Sequence, residues 1–438
     1  MLVVVVLSLL VGLAVVIGSG PPVLRDVQTV RELFSSKQAF AIAESGEEDI
    51  AYRARRGMLY SPQTVLTIGS FVATTSVGVN MTAVELTQIR ATGTAGILSN
   101  IYRKKSLDMI HGSNVTFNYG VQAGNGGFFL YNSGSVQGNI FSNGVVTGTG
   151  AGMLPGGNLI QGSIVSAGAS GSVSGVYATS SVTSHNIINS KIDGEAYYQT
   201  IFNSTVGGSS CPNSFCHPGS PDPLPQDFPI SDATIDTWEG LAEAGGVIPC
   251  VGLPPKYVIS TNTTLGPTKI NCDLQIHDAN IKLAGPVWVN GSIEILQNST
   301  IQTDLSLGSK STYMIADKKT PFIDRTNSSQ IFVRNSTNFP YGGPNTGYVM
   351  MIARNRSAED GGLAVAIDLT QSASGEIIFY TNHGSIEIGN NSSVRELTGY
   401  KIIVKNSAVV IYKTGLANAF FETGPGGSWN FYDWHERQ

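Results

Sequence analysis

From Tyr119 to about Val206 the apolar residues come one at a time, set between Gly, Ser, Thr and Asn: Val136, Ile140, Val145, Ile160, Ile164, Val173, Val176, Val182, Ile187, Ile192 and Ile201. Nearly all are β-branched, and runs with a 3.6-residue period are missing, so this stretch cannot build helices. Short strands joined by Gly/Asn/Ser corners predict a parallel β-helix, at roughly 20 residues per coil. The same texture resumes near Tyr257 and continues to about Ile411, as in Ile281-Lys282-Leu283, Val287-Trp288-Val289 and Ile386-Glu387-Ile388. A β-sandwich of similar composition is the competing reading.

Composition agrees with a β-rich, turn-dense chain. Only 13% of the 438 residues are charged, 51 are glycine and the net charge is −5. The basic residues cluster nowhere beyond Arg53, Arg55, Arg56 and Lys104-Lys105. An all-α enzyme and a nucleic-acid binder are excluded on these grounds.

The first 18 residues carry no charge and only Ser8 as a polar break. At 1.5 Å per residue they reach about 27 Å, which predicts a membrane-crossing helix over 1–18. A removed signal peptide is the alternative, disfavoured by the absent basic flank and by Pro21-Pro22 after the run. Val23, Val27, Val30, Phe34, Gln38 and Ala41 continue a helical spacing to Gly57, with an expected kink or break at Pro21-Pro22. Residues 1–57 therefore read as one long membrane-associated helix. Residues 58–118 read as a small antiparallel β module, 119–206 as a first solenoid segment, 207–255 as a Pro/Cys-rich insertion, and 256–438 as a second solenoid segment with a C-terminal cap. The fold class expected is mainly β, with a long N-terminal helix and a small α+β module ahead of the β-helical body.

The run Gln38-Ala39-Phe40-Ala41-Ile42-Ala43-Glu44-Ser45-Gly46-Glu47-Glu48-Asp49-Ile50-Ala51, placed just behind an apolar helix, resembles PilX-type pilus assembly proteins over roughly the first 50 residues. The Gly-Phe-x-x-x-Glu peptidase start is not part of that match. The later body resembles the β-helical ectodomains behind PilX-type helices and, more loosely, bactofilin-like polymer-forming proteins, with Thr414 to Asn418 and Gly426 to Trp429 contributing. The resemblance implies a structural component of a type IV pilus-like or cell-surface assembly. Its implied partners are pilin-like subunits, envelope machinery and the membrane, and its body is extracytoplasmic.

In the insertion, prolines recur from Pro212 to Pro229 and Ser231 can cap a short helix. Ile235, Trp238, Leu241 and Ala242 would form its apolar face, laid across the solenoid. The four cysteines, Cys211, Cys216, Cys250 and Cys272, read as exported disulfides. Cys211–Cys216 and Cys250–Cys272 are favoured because each closes the nearer loop. Cys211-x4-Cys216-His217 as half of a zinc site is the rival.

No catalytic, cofactor or metal residues are assigned. Asp273, Asp278, Asp304, Asp317, Asp324, Asp368, Glu376 and Glu387 show no recurring carboxylate pair of the kind a glycosidase needs. His383 reads as a turn histidine, and Gly124-Asn125-Gly126-Gly127 lacks the lysine of a phosphate loop. An adhesin that binds glycans or other cells is the alternative function, with Trp429, Tyr432 and Trp434 as its candidate aromatics.

Overall fold

The computed structural model describes residues 2–55, 63–68, 71–80, 86–94, 102–111, 117–149, 158–250, 252, 254–308, 310–334, 336–340, 347–369, 372–413, 416 and 429–437. It separates into two units, one made of residues 1–112 and 429–438, the other of residues 113–428. The protein is mainly β, with many parallel strands in large sheets.

The first unit is a helix packed on an antiparallel sheet. Helix α1 (Leu2–Arg55) continues through Pro21-Pro22, so the expected break there is corrected. Each proline removes one backbone donor, and the bonds on either side carry the helix on. Its buried positions Ala39, Ile42, Ala43, Gly46, Glu47 and Ile50 follow the 3–4 spacing of a single face. Ala39 and Ile42 pack with Ala73 and Leu66 of the sheet. The small residues of the Ala-Glu-Ser-Gly motif thus let the helix approach the strands closely.

Strands β1 (Gln63–Ile68), β2 (Phe71–Asn80), β3 (Leu86–Thr94) and β4 (Tyr102–His111) form an antiparallel meander. The fifth strand, Trp429–Arg437, pairs with β4 from the far end of the sequence. These residues were expected in the cap of the second solenoid segment; they belong instead to the sheet of the first unit. A period-2 pattern cannot say which sheet a strand joins.

Among the described residues no helix is long and apolar enough to cross a membrane. The span expected over 1–18 has described side chains from Val3 to Leu13, all exposed. The side chains of residues 14–18 lie outside the described ones.

In the second unit the strands pair in parallel, with one short exception, the Thr205–Val206/Ser209–Ser210 hairpin. Inward residues line up strand over strand. One such column runs Tyr257, Leu274, Ile293, Ile331, Ile367, Ile386, Ile402, Phe128, Val146, Val173, Ile187 and Ile201. Its order is not that of the chain. Glu396–Val404, near the end of the unit, pairs with Val121–Tyr131, near its beginning. The stretches 119–206 and 256–411 therefore share continuous sheets and one interior. The chain comes in and goes out at the middle of the stack, where the Tyr412 hydroxyl donates to the Phe117 carbonyl.

Asparagines turn the corners. Asn132, Asn189, Asn203, Asn390 and Asn406 all have φ between +43° and +63°, where a short amide side chain is tolerated. Their side chains bond to one another from strand to strand: Asn132 to Asn406, Asn406 to Asn390, and Asn203 to Asn189 at 2.8–3.1 Å. Gly175 is a required glycine, since its φ is +64° and a Cβ there would stand 2.3 Å from the Gly148 carbonyl oxygen.

The ends of the stack carry the disulfides. Cys211–Cys216 and Cys250–Cys272 each have Cα atoms 6.1 Å apart, and Cys211, Cys216 and Cys250 are half-buried against the core margin. Parallel stacks need terminal caps because the last strand has nothing to cover it. Replacing Cys250 and Cys272 by serine is expected to cost about 3 kcal/mol in denaturant unfolding, from the longer loop that this bridge closes.

Residues 219–247 join the two ends of the stack and form a strap along its outer face. Gly219 donates to Tyr198, Gln199 to Ser220, Gly168 to Pro223, Asn143 to Gln226 and Gln122 to Asp227. The Tyr380 hydroxyl then donates to the Ile230 carbonyl. Those partners lie on successive strands of one column. Seven strands at about 4.8 Å span about 29 Å, and the dozen residues of Gly219–Ile230 reach about 37 Å in a proline-rich extended form.

Candidate functional site

Two surfaces gather chemistry. The first is on α1. Its residues Val3 to Leu13 and 25–34 are exposed, and Val27, Val30 and Phe34 recur at helical spacing with Leu33 beside them. Val30 is 64% and Phe34 63% exposed. Val27, Val30, Leu33 and Phe34 thus form a contiguous exposed apolar stripe on the helix.

The second is the place where helix α2 (Asp232–Ala244) of the strap sits. Ser231 caps it, its hydroxyl accepting from the Thr234 N–H at 3.2 Å, and Gly245 follows it. Trp238, only 1% exposed, stacks on Tyr313 with ring centroids 4.5 Å apart. Ile235 and Ala242 complete the contact with Trp288, Ile315, Ile352 and Tyr380. This covering explains why Thr312–Ala316 and Val349–Ala353 are buried at every position, reading as unbroken apolar runs. Leu241 is 39% exposed and not on the packed face as expected. Glu239 takes that place, drawn in by the cations beneath.

Around Glu239 lies a closed charge network. Asp236, Glu239 and Asp317 bring carboxylate oxygens within 4.8 Å of one another. Three cations answer them. Arg325 forks onto Asp317 at 2.8 and 2.7 Å. Arg354, 3% exposed in its side chain, reaches Asp236 at 2.7 Å and Asp232 at 3.3 Å. Lys319 contacts Asp236 at 2.8 Å and also pairs with Glu239. Burial, and then the charge of Asp317, push the Glu239 carboxyl up to about 8, so it holds its proton at neutral pH. For Asp236, burial works upward, but Lys319 and Arg354 outweigh it and hold the group below its usual range. The Asp232 carboxyl is lowered chiefly by His383, whose Nε2 stands 2.8 Å away. His383 is raised in return, first by Asp232, with Glu359 at 2.5 Å from its other nitrogen.

As a metal centre the trio is already filled: Lys319 and the two guanidiniums sit against the oxygens a cation would need. As a glycosidase-like pair it is sealed, with Asp317 and Glu239 both buried under α2. The sequence carries no sign of this grouping, because Asp236 and Asp317 are far apart in the chain. It also missed a recurrence in register. Asp368 and Glu387 are direct partners on adjacent strands, with Glu294 two strands further along, which corrects the expectation of scattered acids. Each has its own cation: Arg334 at 3.3 Å for Asp368, Lys256 at 3.6 Å for Glu294, and Lys405 for Glu387.

The four cysteines are all in disulfides and leave no free thiol as a metal ligand. Trp429 and Trp434 pair in backbone register with His111 and Leu107, and Tyr432 lies at a bulge in that pairing. Their side chains lie outside the described residues. His383, expected in a turn, lies instead in the strand Ile377–Ile388 at a register shift between Thr381 and Ser385, and it bridges Asp232 and Glu359.

No family model matches the chain, and no curated protein matches it. Among solved structures, the crystal structure of the competence-associated pilin ComZ from Thermus thermophilus is similar, at 10% identity and a TM-score of 0.30. That match covers 92% of this chain and 97% of that one. So low a score leaves the fold to be read from the strand pairing above.

Proposed function

We propose that this protein is a membrane-anchored, non-enzymatic structural component of a type IV pilus-like or cell-surface assembly. Its working parts are the apolar stripe of α1 and a parallel β-helical body. The observation that carries the reading is the organisation of the first unit. A helix with an exposed apolar N-terminal half packs its other half on an antiparallel sheet, and the body is inserted in sequence between two neighbouring strands of that sheet. Such a helix can associate with like helices and with lipid through one end while its other end holds the body. Parallel pairing supports a solenoid for the body, since a β-sandwich is built of antiparallel sheets. Two disulfides support an oxidising, extracytoplasmic location.

The test is to shear cells that produce the protein and blot filaments, membranes and supernatant. Recovery with filaments is expected. Recovery only in membranes would favour a tethered adhesin that uses the polar outer faces of the strands, and recovery only in supernatant would defeat the anchor. A Val30→Asp/Phe34→Asp variant is expected to leave the filament fraction by more than about tenfold, because two charges must then be buried between helices.

A further inference from the structure

We infer that the strap, residues 219–247, is fastened by protons: its helix α2 is held on the stack at mildly acidic pH and loosens as the pH rises past neutrality. This stands apart from the assembly reading and survives its failure.

The geometry comes first. Two contacts of α2 gain or lose strength with a single proton. His383 lies between Asp232 and Glu359. Glu239 lies against Asp317 beneath α2.

The charges then decide the direction. From α2 come Asp232, Asp236, Glu239 and Glu243. From the loop after Thr312–Ala316 come Asp317, Lys319 and Arg325. From the loop after Val349–Ala353 come Arg354, Arg356 and Glu359, and His383 faces Asp232 from the strand Ile377–Ile388. Lys269 pairs with Glu243 at 3.0 Å at the helix end. Arg356 is spoken for by Asp360 and Glu359 on its own loop. With Glu239 protonated, Asp232, Asp236 and Asp317 are matched by Lys319, Arg325 and Arg354, and protonated His383 matches Glu359. Loss of the Glu239 proton gives the cluster one buried negative charge in excess of its cations, since Lys319 is already shared with Asp236, and loss of the His383 proton removes a charge-assisted bond to Asp232. Both contacts therefore weaken in the same direction. What the strap uncovers is apolar: Trp288, Tyr313, Ile315, Ile352 and Tyr380.

Amide hydrogen exchange of the full chain, followed by mass spectrometry from pH 5.5 to 8.5 and corrected for intrinsic rates, tests this. Protection of 232–244 is expected to fall by about tenfold per pH unit over the range where one proton is released, while 312–316 and 349–353 stay protected. Binding of an apolar dye is expected to rise in parallel. Glu239→Gln, which mimics the protonated acid, is expected to flatten the alkaline part of the response, and His383→Asn the part near neutrality. Equal protection of 232–244 across the series in the unmodified protein would overturn the inference, whatever the variants do. A loss of protection shared by 312–316 and 349–353 would overturn it too, since it would report global unfolding.

Discussion

Arg354→Met is expected to destabilise the protein by about 1.5–3 kcal/mol, the range for losing charge-assisted hydrogen bonds to acids that are about half exposed. Arg354 is 3% exposed in its side chain and serves Asp232 and Asp236 directly, with Asp317 at 3.8 Å. Methionine keeps the apolar stem but removes one cation from the cluster, leaving Asp232 with His383, Asp236 with Lys319 and Asp317 with Arg325. Urea unfolding checks the size of the effect. Adding Asp236→Asn to the variant removes one of the cluster's negative charges, so the double variant is expected to recover part of the loss. Failure of that recovery would show that Arg354 acts by packing rather than by charge.

Trp238→Ala is the second large effect, at about 3–5 kcal/mol. The indole fills the space between α2 and the sheet, stacked on Tyr313, and nothing in a one-turn shift of the helix can replace it. The loss falls on the strap first. Limited proteolysis is expected to cut within 219–247 well before the stack, and Trp238→Phe is expected to restore most of the resistance. Both variants also shift the pH response of the strap in a definite sense. The Glu239 carboxyl titrates near 8 when folded and near its usual 4.5 when unfolded, so its contribution is complete below about 4.5 and is lost as the pH rises through 8. His383 is raised above 6.5, so its contribution is likewise full below 6.5 and lost as the pH rises through its folded value. Asp232 and Asp236 are lowered, so theirs is present above about 3.8 and lost as the pH falls below it. The strap is most firmly held near pH 3.8 to 4.5, and its hold declines steadily as the pH rises from there through 8.

Much of this was legible in the residues. Isolated β-branched residues between Gly, Ser and Asn fixed short strands with tight corners, and Asn189, Asn203 and Asn406 now stand at such corners. Ser231 and Gly245 bounded α2, and Trp238 marked its buried side. The helical spacing of Val27, Val30 and Phe34 was legible as well, but the face of α1 that packs on the sheet is the one of Ala39, Ile42, Ala43 and Ile50. These features are local, set by backbone conformation and side-chain period within a few residues, and local physics is what a sequence expresses directly.

The order of the stack was not legible. Parallel pairing depends on matching inward residues, and one Ile or Val column fits another equally well. Only the tertiary structure decides that 396–404 lies beside 121–131, that the strap must cross the whole face to rejoin the ends, and that Trp429–Arg437 returns to β4. The same holds for the buried charges. Asp236, Asp317 and Arg354 have no common motif, and it is the strap's path over the sheet that brings them together and makes each one's burial depend on the others.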